Sequence, residues 1–255
     1  GEPYYVAWAL SRLGYLYAAL NDPDKEIAYT EQSLAIARTM HNRFVLFSCL
    51  YNLGSDYILN GDYSTGKQYG PEVLQFATET GQICQISHAW SLLALQAFCE
   101  GDYSACQEYS DQSVKVIEEI ILVVVQPYSL ALLTLLACLR EDYAEATRIN
   151  DFSKHHSVNT MAFQLHHWAS AALACGLGNL EEARSAIRKG LESIGSNLTA
   201  TSSIWMVPCA AAVLAAGKPA RAVELLAWAL GNPTPALNWA RQWPLLGRLQ
   251  AQLEA

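Results

Sequence analysis

Charge is scarce in this sequence. Only 16% of its 255 residues are Asp, Glu, Lys or Arg, and positive charge is the scarcer sign, with 16 Lys and Arg against 24 Asp and Glu. A net charge of −8 excludes non-specific nucleic-acid binding, which needs cations to displace the counterions of phosphates. Disorder is excluded from the other side, because 52% of the residues are hydrophobic. No C-x-x-C pair occurs among the seven cysteines. Their odd number and apolar neighbourhoods read as buried free thiols of a reducing cytoplasm, in place of a disulfide framework or a zinc site. No basic-then-apolar leader opens the chain, and no apolar run reaches the ~18 residues that span a bilayer. The first residue is Gly1, and the chain reads as a segment cut from a larger protein. Sustained strand alternation with hairpin turns is missing as well.

What is present is a repeat. NDPDKE from Asn21, GDYSTG from Gly61, GDYSAC from Gly101, EDYAEA from Glu141, GNLEEA from Gly178 and GKPARA from Gly217 follow one another at spacings of 40, 40, 40, 37 and 39. Eight residues before the second residue of each marker stand Gly14, Gly54, Ala94, Thr134, Ala171 and Ala210. Four residues after it stand Glu26, Gly66, Cys106, Ala146, Ala183 and Ala222, mostly small. Small side chains recurring at fixed positions mark places where two helix axes cross closely. Between markers the apolar residues recur at helical spacing, as in WALSRLGYLYAAL from Trp8. Each unit is therefore two antiparallel helices with the marker as their turn, Asp or Asn capping the second helix. Pro23 and Pro219 suit the first turn of such a helix.

The fold class is all-α, a right-handed α-α superhelix. Six pairs occupy about 1–40, 41–81, 82–121, 122–157, 158–195 and 196–231 of a single domain, and a capping helix over 237–253 carries Arg241, Arg248 and Gln250 toward water. In this frame GDYSTGK, which matches the start of a phosphate-binding loop, is a helix turn. Gln68 stands where that loop needs Ser or Thr for magnesium, and helical text precedes it where a strand is required.

Leu13, Gly14 and Tyr17, then Leu53, Gly54 and Tyr57, together with the turn tyrosines Tyr63, Tyr103 and Tyr143 and the second-helix tyrosines Tyr29, Tyr69 and Tyr109, resemble the tetratricopeptide repeat over nearly the whole chain. The 40-residue period is longer than that family's usual 34. It is similar to the long-period arrays of bacterial signal-transducing STAND-type ATPases of the maltose-activator kind, and of some animal polarity scaffolds. The ending KPARAVELLAWALGNPTP…LLGRLQAQLE looks like the tail of such bacterial regulators. The resemblance implies a non-catalytic sensor or scaffold arm in signal transduction or transcription regulation, with the ATPase elsewhere.

The resemblance also implies that the first helices line a concave binding face. Register places Trp8, Ser11 and Tyr15 there, then Ser48, Tyr51 and Ser55; His88, Ser91, Leu95 and Phe98; Tyr128 and Leu135; and Leu165 and Trp168. The Lys, Arg and Asn clamp of chaperone-binding relatives is missing from these positions, with only Arg12 and Asn52 nearby. An aromatic, hydroxyl-bearing lining suits an amphipathic or apolar protein segment, or a flat small molecule such as a sugar. The same aromatics also serve as ordinary packing between units. Self-association is a further expectation; a membrane, nucleic acid or a cofactor is not expected.

His155, His156, His166 and His167 form the one histidine cluster, with Asp151 near. Adjacent histidines on a helix point about 100° apart, which disfavours a metal site. The β-branched run Ile120 to Val125 is either tucked into the core or an interface. Pro71 and Pro208 fall inside expected helices and predict kinks. Asn197-Leu198-Thr199 matches a glycosylation acceptor by chance. No nucleophile–base constellation occurs, and carboxylate pairs are expected only at turns and on solvent faces, so no enzyme activity is expected.

Overall fold

A computed structural model describes residues 2–20, 22–40, 43–118, 127–156, 163–194 and 204–254. Among them every regular element is helical. Units one to three comprise α1 (Glu2–Ala19) and α2 (Pro23–Met40); α3 (Arg43–Leu59), with α4 (Tyr63–Gly66) and α5 (Tyr69–Thr80); and α6 (Ile83–Glu100) and α7 (Tyr103–Glu118). The later units hold α8 (Pro127–Leu139) and α9 (Tyr143–His156), α10 (Phe163–Gly176) and α11 (Leu180–Ile194), and α12 (Val207–Ala215) and α13 (Pro219–Gly231). First helices pack side by side (α1 on α3, α3 on α6, α6 on α8, α8 on α10, α10 on α12), and each also packs on its own second helix. The result is a two-layered, tetratricopeptide-like all-α solenoid. No helix among the described residues is long and apolar enough to cross a membrane.

The turn chemistry explains the repeated marker. Gly61, Gly101 and Gly178 adopt positive φ, as does Glu141 at 58°, a region that suits glycine because it lacks Cβ. The next N–H then reaches back five residues, Asp62 to Tyr57 O at 2.8 Å and Asp102, Asp142 and Asn179 to their counterparts at 2.9 Å, closing the helix in a Schellman turn. The side chain of that same residue caps the following helix: Asp62, Asp102, Asp142 and Asn179 accept from the N–H of Thr65, Ala105, Glu145 and Glu182 at 3.1, 3.0, 3.1 and 3.3 Å. Asp22 does so from Lys25 at 3.2 Å. One dipeptide thus ends one helix and starts the next. GDYSTGK is such a turn.

The small positions are the helix crossings. A Cβ on Gly54 would stand 2.8 Å from Leu92 Cδ2 and 2.9 Å from Tyr69 Cβ, and one on Gly66 would stand 2.6 Å from Ile58 Cγ1. Ala94, Cys106, Ala146, Ala171, Ala183 and Ala222 are buried at the equivalent places. Tyrosines clasp the pairs, Tyr17 stacking on Tyr29 at 5.3 Å and Tyr57 on Tyr69 at 6.0 Å.

Where kinks are expected, the helices break. Pro71 offers no N–H to the carbonyl of Lys67, and the second helix of unit two divides into α4 and α5 across Lys67 and Gln68. Pro208 sits in the first turn of α12, where its missing N–H is harmless. The stretch expected as one capping helix is likewise divided: a 3₁₀ turn (Pro235–Leu237) leads into α14 (Asn238–Gln242), and α15 (Pro244–Glu254) starts afresh at a proline. Ala236, Leu237, Trp239, Ala240, Trp243 and Leu246 are all buried, while Arg241, Arg248 and Gln250 are exposed. Six of the seven cysteines are buried, Cys84 is exposed, and all are free thiols. The apolar run 120–125 and the triplet 197–199 lie outside the described residues.

Candidate ligand-binding face

Ring contacts between alternate units locate the concave side. Tyr51 on α3 stacks on Tyr128 of α8 at 6.5 Å, and Phe98 on α6 meets Trp168 of α10 edge-on at 5.7 Å. First helices two units apart touch only on the inside of a tight curve. The expected lining residues Tyr51, Tyr128, Phe98 and Trp168 are therefore brought together in two clusters along one face.

The first cluster is partly open. Phe47 and Tyr51 are stacked at 6.1 Å, and the His88 imidazole stands at right angles to both, at 6.1 and 5.1 Å from their ring centres. His88 Nδ1–H donates to Cys84 O at 2.5 Å. Burial holds its pKa below the ordinary histidine value, so the ring is neutral near pH 7. Tyr51 and His88 are half-buried and Tyr128 is buried. Ser55 is buried too, donating to the carbonyls of Tyr51 and Asn52 at 3.1 and 2.9 Å. Trp8 and Tyr15, on α1, are both exposed, with the Arg12 guanidinium 5.9 and 6.0 Å from their ring centres; their ring contacts are with Arg12 and not with the Tyr51 cluster.

The second cluster is closed. Leu95, Phe98, Leu135, Leu165 and Trp168 are all buried. Trp168 meets Trp205 at 4.4 Å and Trp239 at 5.1 Å, and Trp239 meets Trp243 at 5.2 Å. The C-terminal segment thus folds back over the lower end of the face. It is tied there by the Asn238 amide donating to Cys99 O at 2.9 Å and by Ala236 N–H donating to the Tyr63 hydroxyl at 3.1 Å. Arg248 closes an ion pair with Glu141 at 2.6 Å.

Beneath the open cluster lies a feature the sequence reading missed. Glu26 and Asp56, on α2 and α3, are both buried and share a side-chain hydrogen bond. Burial raises both pKa values, Glu26 to about 7; the charge of Glu26 and its hydrogen bond raise Asp56 further, while the hydrogen bond from Asp56 offsets part of the rise at Glu26. Asp56 Oδ2 has no protein hydrogen-bond partner. Carboxylate pairing is therefore not confined to turns and solvent faces. The signal was available: Glu26 occupies the position where other units carry Gly, Cys or Ala.

His166 and His167 are neighbours with ring centres 5.9 Å apart, and Ser153 Oγ lies 3.2 Å from His166 Nδ1. Burial lowers the His166 pKa to about 4. Among the described residues no group of three or more His, Cys, Asp or Glu side chains gathers to hold a metal; the side chains of His155 and His156 lie outside them. A hollow of about 760 Å³ between α7 and α8 holds none of the expected lining residues. Among its lining groups Arg140 pairs with Gln107 at 3.1 Å and Gln107 with Asp111 at 3.1 Å, while the buried Tyr103 hydroxyl has no protein hydrogen-bond partner.

The chain is similar to a solved tetratricopeptide repeat protein. That protein, from Parabacteroides merdae, shares 15% identity over 97% of this chain and 100% of its own, with a TM-score of 0.36. A likeness so loose carries no argument about the face or its ligand. No family model matches the chain, and no curated protein matches it.

Proposed function

We propose that this chain is a non-catalytic interaction module that holds an apolar or amphipathic protein segment on the open half of its concave face, against Trp8, Tyr15, Tyr51 and His88. One observation carries this reading: the closed half of the same face already holds a short helical segment, the chain's own α14, through Trp239 and Trp243. A surface of stacked rings with few fixed charges takes such a segment by burying its apolar side chains. The finer setting, a cytoplasmic sensor arm of a bacterial STAND-type ATPase or transcriptional regulator, rests on the family resemblance of the repeat and its C-terminal tail.

Selection of helical peptides from a displayed library tests the reading. Binders of micromolar affinity are expected to be rich in aromatic and aliphatic residues at helical spacing, and to weaken at least tenfold against Tyr51→Ala or Trp8→Ala. A screen yielding no such binder, alongside a thermal shift of several degrees with a sugar or nucleotide, would turn the assignment to a small-molecule sensor.

A further inference from the structure

We propose that the open cluster of the concave face receives a lysine of the docked segment, its ammonium group seated against Glu26 and Asp56. The site rests on the segment-binding reading above and adds to it the one side chain that such a segment must bring. Asp56 is 4% and Glu26 8% exposed, the two are bonded to each other, and Asp56 Oδ2 has no partner. Among the described residues no Lys, Arg or His acts on either carboxyl. A buried acceptor without a donor costs stability, and a cation carrying N–H groups is what satisfies a pair of carboxyls best.

The repeat marks the pair as an exception twice over. Glu26 stands where later units carry Gly66, Cys106 and then alanines, and Asp56 is in register with Leu16, Gln96, Leu136, Leu173 and Ala212. No other unit places a charge at either position. Here both do so, on α2 and α3, and the two acids meet. The array packs through its other units without such a pair, and a local break in an otherwise consistent pattern is where function is expected.

The carboxyls lie at the inner end of the open cluster. Tyr51 is only partly buried, yet burial raises its hydroxyl pKa well above the ordinary value, and the charges of Tyr128 and Asp56 raise it further. Its ring therefore runs from the surface inward, hydroxyl toward Asp56. Tyr128, stacked on it at 6.5 Å, is raised in the same way, by burial and then by Asp56, and is bonded to the side chain of Ser55. The chemistry of the pair selects the ligand. Among the described residues no third His, Cys, Asp or Glu joins the two, which leaves too few ligands for zinc or calcium. A quaternary ammonium would leave Asp56 Oδ2 without a donor, and a guanidinium would bring more N–H groups than two carboxyls can satisfy. A lysine offers three donors on a four-carbon stem, about as long as the tyrosine ring it would lie along. The faces of Phe47 and Tyr51 attract such a cation, and His88, neutral near pH 7, does not repel it. A net charge of −8 draws a basic segment toward the chain.

Calorimetric titration of the intact chain with n-butylammonium tests the site itself. Binding in the millimolar range is expected at about pH 7.5. Protons are expected to leave as the amine enters, read as a heat that differs between buffers of unlike ionisation enthalpy, because the cation takes the place of the proton that the two carboxyls share. Tetramethylammonium and 1-butanol are expected to bind at least tenfold more weakly. Asp56→Asn and Glu26→Gln keep the side-chain shapes, are expected to fold with unchanged circular dichroism, and are each expected to weaken the amine at least tenfold. Peptides selected against the chain test the source of the ammonium group. They are expected to share a lysine among their apolar residues, and its replacement by norleucine is expected to cost at least tenfold on the wild type but under twofold on Asp56→Asn. Peptides that bind the open face and tolerate norleucine overturn the proposal and leave the segment-binding reading standing. An amine that binds while no peptide does overturns that reading, and lysine as the source with it. No amine binding at about 50 mM, or binding indifferent to Asp56→Asn, overturns the site.

Discussion

Glu26 occupies a place that the repeat reserves for small side chains, and the consequence is felt at Asp56. Two carboxyl groups buried side by side are tolerable while they share a proton, one donating to the other; removing it leaves two charges in a low-dielectric site. The stability effect has a definite sign. A carboxyl whose folded pKa lies above its unfolded value binds more protons when folded, so its contribution is intact below the unfolded value of 4.5 and is lost as pH rises toward the folded value of about 7. Glu26→Gln keeps the shape and a hydrogen bond but has no proton to lose. It is expected to melt within about a degree of wild type at pH 5 and several degrees higher at pH 8, a gain on the order of 2 kcal/mol. Parallel thermal melts at the two pH values measure it, and an equal difference at both would show that ionisation of the pair is not what the substitution relieves. The opposite sign belongs to His166: its lowered pKa makes the protonated form unfavourable in the fold, so its neutral packing is lost as pH falls from about 6.5 toward 4.

The helices and their turns are the scale at which the sequence was most legible. Position is what matters in the G-D marker, since a left-handed residue followed by a side-chain acceptor is demanded by geometry at that point and nowhere else in the unit. The Gly14, Gly54 and Gly66 crossings were legible for the same reason, each being a place where a Cβ would strike a neighbour. Proline breaks were harder to read. Pro71 and Pro244 each end one helix and start another, and whether a proline bends or divides a helix depends on the packing around the freed carbonyl, which local sequence does not encode. The caps offer a paired test. Asp102→Ala removes the bond to Ala105 N–H and is expected to lower stability by about 1 kcal/mol, while Asp102→Asn loses little. The sixth turn has Lys218 at the cap position with no side-chain bond, so Lys218→Asp is expected to gain about 0.5–1 kcal/mol. Denaturant midpoints at constant slope report both changes. This turn closes differently from the others, Lys218 N–H reaching back only four residues to Leu214 O at 2.7 Å; a loss at Lys218→Asp would mean that this closure keeps the introduced carboxylate from the Arg221 N–H.

At the scale of the molecule, the C-terminal segment decides how much of the concave face remains available. Tyr51 and His88 stand together at one end, but nothing near Trp239 or Trp243 in the sequence reveals that they pack over Trp168 at the other. Their partners, Phe98 and Trp168, lie units away, and long-range contacts of that kind have no local signature. The indole N–H groups of Trp168, Trp239 and Trp243 are buried without protein acceptors, so these rings act here through area and shape alone. That makes a sharp prediction. Trp239→Phe retains most of the apolar surface and removes an unsatisfied donor, and is expected to cost less than about 1.5 kcal/mol. Trp239→Ala opens a cavity between α6, α10 and α14 and is expected to cost about 3–5 kcal/mol. Because α14 bridges the third and fifth units, the alanine variant should also loosen the Asn238 bond to Cys99 O and unfasten the turn edge of α6. Hydrogen exchange provides the readout: faster exchange is expected in α6 and α14 together, with α1 and α2 unchanged. Protection lost only in α14 and α15 would show instead that the segment is an appendage laid on a solenoid that holds its curve without it.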